Sequence, residues 1–426
     1  MAMQNDKRVK YACYTVNISM AIVGNLSPLL FITLQDLYGI SYTLLGLLVL
    51  INFATQLFVD LVFSFFSHRF NISAVVKATP ILTFVGLLIY ALFPFAFENH
   101  VYLGLVIGTV IFSAASGFSE VLISPVIAAL PAKNPEREMS KLHSIYAWGV
   151  VGVVLFATVF LLVFGKDSWQ WLALVLLIVP TLSATLFFSA KLPKLETPER
   201  VSGALQFLKN KQLWICFLAI FLGGAAECTM AQWCSGYLEQ ALGIKKVWGD
   251  VFGVAVFSMT LGLGRSLYAK IGKNIGKVLF FGSIGAMVCY TTAIVSPYAV
   301  LGLIACALTG FCVSMLWPGS LVVASDRFPT GGVFIYAMMA AGGDFGAAVA
   351  PQMVGVITDG VSGKAWALKL AAKLGLTGEQ LGMKIGMLVG MTVSLIAIFV
   401  YLYIWKTQKR YTKETPKIEN LIEKEI

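Results

Sequence analysis

Charge is scarce in this chain. Of 426 residues only 12% are Asp, Glu, Lys or Arg, while 58% are hydrophobic. Soluble domains carry about 25% charged residues, so the shortage excludes an ordinary soluble enzyme or binding module. Histidine is scarcer still. His68, His100 and His143 are the full set, and no two of them have the spacing of a zinc site. The seven cysteines, at positions 13, 216, 228, 234, 289, 306 and 312, are odd in number and form no C-x-x-C pair. They read as free thiols in apolar surroundings, with no disulfide framework. A P-loop, G-x-x-x-x-G-K-[ST], is missing, which argues against ATP-driven pumping. No nucleophile–base pair can be assembled, so neither an enzyme nor a cofactor is expected. The N-x-S sequons at Asn17, Asn25 and Asn71 fall in apolar spans or on the inner side and read as chance. Lys7, Arg8 and Lys10 lead into an apolar run too long for the core of a cleavable signal peptide.

What the chain has in abundance is long apolar runs. A bilayer-spanning helix needs roughly 20 such residues. The pattern predicts an all-α membrane protein of twelve helices, at 11–34, 43–66, 74–95, 102–130, 140–165, 169–190, 211–238, 248–271, 275–296, 298–325, 331–359 and 382–405. The one long polar stretch, around Pro193, Glu196, Pro198, Glu199 and Arg200, divides the chain into six plus six. The expected organisation is an N-terminal bundle over 1–190, a linker over 191–210, a C-terminal bundle over 211–405 and a tail over 406–426. The amphipathic piece 202–212 is expected at the membrane surface. Lys and Arg settle orientation, because cytoplasmic loops are enriched in them. With the N-terminus inside, 23 fall on the inner side and seven on the outer, and Arg265 lies within a helix. Both ends are therefore expected in the cytoplasm of a plasma-membrane protein. The net charge of +10 then reads as a topology signal, and no nucleic-acid partner is expected.

The two halves echo each other. Gly117-Phe118 precedes Pro125 as Gly310-Phe311 precedes Pro318, and Ile145-Tyr146-Ala147 is repeated as Ile335-Tyr336-Ala337. Offsets near half the chain length fit two homologous bundles, and matched Pro-interrupted segments point to a transporter's binding site.

Ionisable groups inside spans are costly and mark function by default. Asp60, Glu120, Glu227, Asp344 and Arg265 are such groups. Asp60 and Arg265, about 17 residues into the second and eighth helices, are expected as ion-pair or gating residues at the inner mouth. Glu120, Glu227 and Asp344 lie nearer mid-span, where a carboxylate without a cation can take up and release a proton. His143, a turn into the fifth helix, is a further candidate for coupling. Gln232 and Trp233, just beyond Glu227, suit a polyhydroxylated ring, the amide bonding hydroxyls and the indole stacking on C–H faces. Trp317 and Tyr146 could serve likewise.

Six plus six helices with a basic linker resemble the major facilitator superfamily. Several stretches resemble its fucose permease branch of sugar–proton symporters: Gly117 to Pro125, Leu142-His143-Ser144-Ile145-Tyr146-Ala147-Trp148-Gly149, Gly224-Ala225-Ala226-Glu227, Gly264-Arg265 and Ser314-Met315-Leu316-Trp317-Pro318. The resemblance implies that Glu120 is a protonatable carboxylate lining a sugar cavity and that His143 and Tyr146 contact the sugar. Two positions depart from that branch. His143 and Tyr146 stand where it favours amides, and its first-helix Asp has no counterpart at Asn25-Leu26-Ser27-Pro28. The expected function is import of a monosaccharide or related solute by proton symport with alternating access, as a monomer in the lipid bilayer. Asn25, Glu120, His143, Tyr146, Glu227, Gln232, Trp233, Trp317 and Asp344 are the expected solute contacts. The alternative is a proton antiporter exporting drugs or lipophilic compounds.

Overall fold

A computed structural model describes residues 2–66, 69–131, 135–193, 207–271, 274–328 and 332–411. The chain is helical, with no strand among these residues. The helices are α1 (Ala2–Tyr38), α2 (Tyr42–Phe66), α3 (Ile72–Ala96), α4 (Val101–Ala128), α5 (Pro135–Phe164), α6 (Trp169–Leu176), α7 (Ile178–Phe188), α8 (Lys211–Gln240), α9 (Val256–Ile271), α10 (Ile275–Val295), α11 (Ala299–Val313), α12 (Leu316–Arg327), α13 (Gly332–Ser362), α14 (Ala365–Leu374), α15 (Gly378–Gly386) and α16 (Leu388–Tyr411). Each of the twelve expected spans has a counterpart. The sixth is α6 with α7, the tenth is α11 with α12, and the last is α15 with α16. A π-helical segment, Gly249–Ala255, leads into α9.

Among the described residues, eleven segments are long and apolar enough to cross a membrane, and part of the first turns of α13 lies outside that description. The α13 sequence is rich in Gly and Ala and carries Asp344 and Asp359, and its main neighbours are α2 and α8. The amphipathic α14 lies in a stretch expected to be a loop. Most of the linker, including 202–206 of the expected surface helix, lies outside the described residues, as does the tail beyond residue 411.

The break between α11 and α12 has a local cause. Pro318 lacks an N–H, and its ring excludes the helical carbonyl four residues back, that of Ser314. The helix therefore stops at Val313 and restarts at Leu316. Its sequence echo behaves differently: α4 runs unbroken through Gly117 and Glu120.

Glycines set how closely the helices approach. A Cβ on Gly117 would lie 3.1 Å from Val59 and 3.2 Å from the Gln56 backbone, so α4 rides directly on α2. Gly224 of α8 faces the Gly343 carbonyl of α13, and the Trp317 ring lies over Gly343. Gly→Ala in a helix ordinarily stabilises by about 0.5–1 kcal/mol. At Gly224 the sign is expected to reverse, with overpacking costing about 1–3 kcal/mol. At Gly262, where nothing lies within 4 Å, it is not. Thermal unfolding of the purified Gly224→Ala and Gly262→Ala proteins should therefore move in opposite directions.

Candidate functional site

The ends of the two halves that carry few basic residues meet in a dense seal. At the start of α2, the Tyr42 and Thr43 amides donate to the Asp359 carboxylate of α13 at 3.2 and 2.6 Å. The Leu44 amide donates to Ser41 Oγ. These are N–H groups that a helix start leaves without intrahelical partners, so α2 is capped largely by the opposite half. Glu379 accepts from Gln35 at 3.0 Å and from the Tyr42 hydroxyl at 2.7 Å. Thr158 of α5 donates to Asp250 at 3.0 Å, and Asp250 also accepts from Ser235 and pairs with Lys246. Asp250, Asp359 and Glu379 carried no signal distinguishing them from ordinary interface acids, and the sequence alone did not single them out.

A charged cap on a helix start is worth about 1 kcal/mol. Asp359→Asn should therefore shift the halves toward parting at this end by about fivefold. Spin labels on cysteines introduced at the exposed positions Phe97 and Trp366 would report a larger population of long distances. An unchanged distribution would remove Asp359 from the seal.

Behind the seal lie the ionisable residues of the spans. Solvent reaches the Glu120 side chain, whereas Asp60 and Asp344 are only 7% and 4% exposed. One carboxylate oxygen from each of the three lies within 4.8 Å of the other two. The close packing at Gly117 brings Asp60 of α2 beside Glu120 of α4, and α13 adds Asp344 from the other half. Among the described residues no Lys, Arg or His pairs with any of them. This corrects the ion-pair expectation for Asp60, which faces two acids and, among the described residues, no cation.

Arg265 is engaged elsewhere, with Glu227. Its Nη2 donates to both Glu227 oxygens at 3.0 and 3.1 Å, and its Nε donates at 3.1 Å to the Ser314 carbonyl freed by the break before α12. The guanidinium is 43% exposed and the Glu227 side chain 14%. Tyr146, 37% exposed, has Glu120, Glu227 and Arg265 as its charged neighbours. Residues from both halves thus converge on one chamber.

Other expected contacts are placed differently. Trp233 is fully buried, with ring centroids 5.0 Å from Phe31 and 6.0 Å from Tyr42, and its indole N–H donates to the Pro351 carbonyl at 2.9 Å. Gln232 is 7% exposed. Both lie where α8 has climbed out of the chamber into the seal. The half-buried Trp317 lies against Gly343 and Gly224. Asn25 donates to the Ala21 carbonyl of its own helix. The His143 side chain lies outside the described residues. A separate groove of about 430 Å³ between α1, α5, α6 and α7 has only apolar residues in its walls, among them Ile18, Trp148 and Phe156, and none of the acids.

Solved structures similar to this chain share its fold. A bacterial homolog of the human lysosomal transporter Spinster, inward-facing and occupied, superposes with a TM-score of 0.69 at 14% identity, covering 95% of this chain and 97% of its own. A nucleoside transporter gives 0.70 at 10% identity, covering 94% and 99%. The E. coli fucose:proton symporter gives 0.56 at 15% identity, covering 91% and 98%. No curated protein matches the sequence. The Major Facilitator Superfamily profile matches residues 12–351, and the chain belongs to that family of transporters.

Proposed function

We propose that this chain imports a monosaccharide or related polyhydroxylated solute together with protons, by alternating access of two six-helix halves, 1–190 and 211–405. The linker 191–210, the tail 406–426 and both termini lie in the cytoplasm of a plasma-membrane protein that spans the bilayer twelve times and works as a monomer. The distribution of Lys and Arg supports this orientation, and it makes the sealed end the outer one. Glu120 carries the proton. Glu227, Tyr146, Asp344 and Asn25 contact the solute with Trp317 nearby, His143 assists proton exchange, Asp60 stands beside Glu120, and Arg265 governs the inner mouth. Gln232 and Trp233 join the chamber when the seal parts.

The observation that carries this reading is a solvent-reached carboxylate at position 120, unpaired with any described cation, behind a closed seal. The sugar–proton symporter among the similar structures fits it. Proteoliposomes under an imposed pH gradient, acid outside, should accumulate one class of labelled polyhydroxylated solute and none without the gradient. Expulsion of lipophilic cations, with no sugar, sugar acid or nucleoside taken up, would replace this reading with an exporter.

A further inference from the structure

We propose that Asp60, Glu120 and Asp344 together form a binding site for a hard divalent cation where the two halves join. This goes beyond the solute reading and stands without it.

The first argument is size. Hard cations such as Ca²⁺ hold oxygens at about 2.3–2.6 Å, so two ligands on opposite sides of one ion stand about 5 Å apart. Three carboxylate oxygens within 4.8 Å of one another fit around a single ion. The second argument is unmet bonding. Asp60 Oδ1 and Asp344 Oδ2 are buried and accept from no donor, in residues 7% and 4% exposed. The two carboxyl groups lie within hydrogen-bonding reach of each other, a contact that is favourable only while one of them holds a proton. A buried carboxylate oxygen with neither donor nor cation is costly. Among the described residues, Arg265, the base within the spans, is held by Glu227 and Ser314.

Ligand chemistry narrows the occupant. All three donors are carboxylate oxygens, with no thiolate or imidazole among them, which suits Mg²⁺, Ca²⁺ or Mn²⁺ over softer metals. Three carboxylates hold a divalent ion with one net negative charge remaining, against two for a monovalent ion. Glu120, reached by solvent from the chamber, provides the entry path, and water there can complete the coordination. Protons and the ion are then alternative occupants of the same oxygens. Because α2 and α4 come from one half and α13 from the other, the ion would tie the halves together below the seal.

The test uses purified full-length protein and Mn²⁺, read by electron paramagnetic resonance. One saturable Mn²⁺ per chain is expected, displaced by Ca²⁺ or Mg²⁺ and not by an equal concentration of Na⁺. Asp60→Asn, Glu120→Gln and Asp344→Asn should each weaken it at least about tenfold. The exposed Glu98→Gln should leave it unchanged. Mn²⁺ should also raise the unfolding temperature of the unsubstituted protein and not that of the three variants. Absence of saturable Mn²⁺ on the unsubstituted protein overturns the site, as does binding that survives all three substitutions or yields to Na⁺ alone. A variant that does not fold is set aside, since the unsubstituted protein decides the first point. Proton-driven solute uptake that persists without any Mn²⁺ binding would sink the cation site and leave the transport reading intact.

Discussion

Glu120→Gln is expected to abolish solute accumulation driven by a pH gradient while leaving counterflow exchange within a few-fold of the unsubstituted rate. The amide is nearly isosteric and keeps a polar group facing the chamber, but it cannot carry a proton. One pH unit is about 1.4 kcal/mol, so about tenfold accumulation per proton. With that link removed, the ratio of internal to external solute should fall to about one. Counterflow needs only solute binding and the alternation of the halves, both of which survive. Uphill accumulation persisting in the variant would strip Glu120 of the coupling role. Loss of counterflow as well would make it a binding or structural residue.

Arg265→Leu is expected to cost more than Glu227→Leu or the double substitution. Removing the guanidinium leaves a mostly buried carboxylate without its partner and takes a donor from the Ser314 carbonyl. Breaking a buried pair from one side costs about 3–5 kcal/mol. With Arg265 43% exposed, solvent screening reduces this to about 2 kcal/mol. The double variant, left with neither charge, should recover much of it. Arg265→Lys should recover less, because a single ammonium cannot both hold Glu227, as Nη2 does, and reach the Ser314 carbonyl, as Nε does. A double-mutant cycle on thermal unfolding reads this directly. Strictly additive changes would mean the two side chains do not act as a pair.

The spans were legible because a bilayer demands long apolar runs, and the marker Pro318 falls where a helix breaks. Glu120 stood out for the same reason: one acid in hydrocarbon is conspicuous. What the sequence could not supply was which face of one helix meets which face of another. Asp60 and Arg265 occupy similar depths in their own spans, and depth alone suggested a shared gating role. Packing at Gly117 instead turns Asp60 toward Glu120, and Arg265 finds Glu227. Trp233 follows an acid by six residues and reads as a chamber aromatic, yet α8 rises about 1.5 Å per residue, which carries it up against Phe31 and Tyr42. The seal was invisible for a related reason. Asp359 and Glu379 sit near helix ends, where acids are ordinary, and only the meeting of distant segments gives them partners.

The start of α2 has a consequence for how such a molecule opens. Ser41 would keep its hold on the Leu44 amide in any conformation, being part of the same half. The amides of Tyr42 and Thr43 have no such local acceptor, and once Asp359 withdraws they must turn to water. Opening at this end therefore exchanges two protein bonds for solvation at a single turn, and that turn should fray first. Amide exchange at Tyr42 and Thr43 would then act as a built-in gauge of how often this door stands ajar.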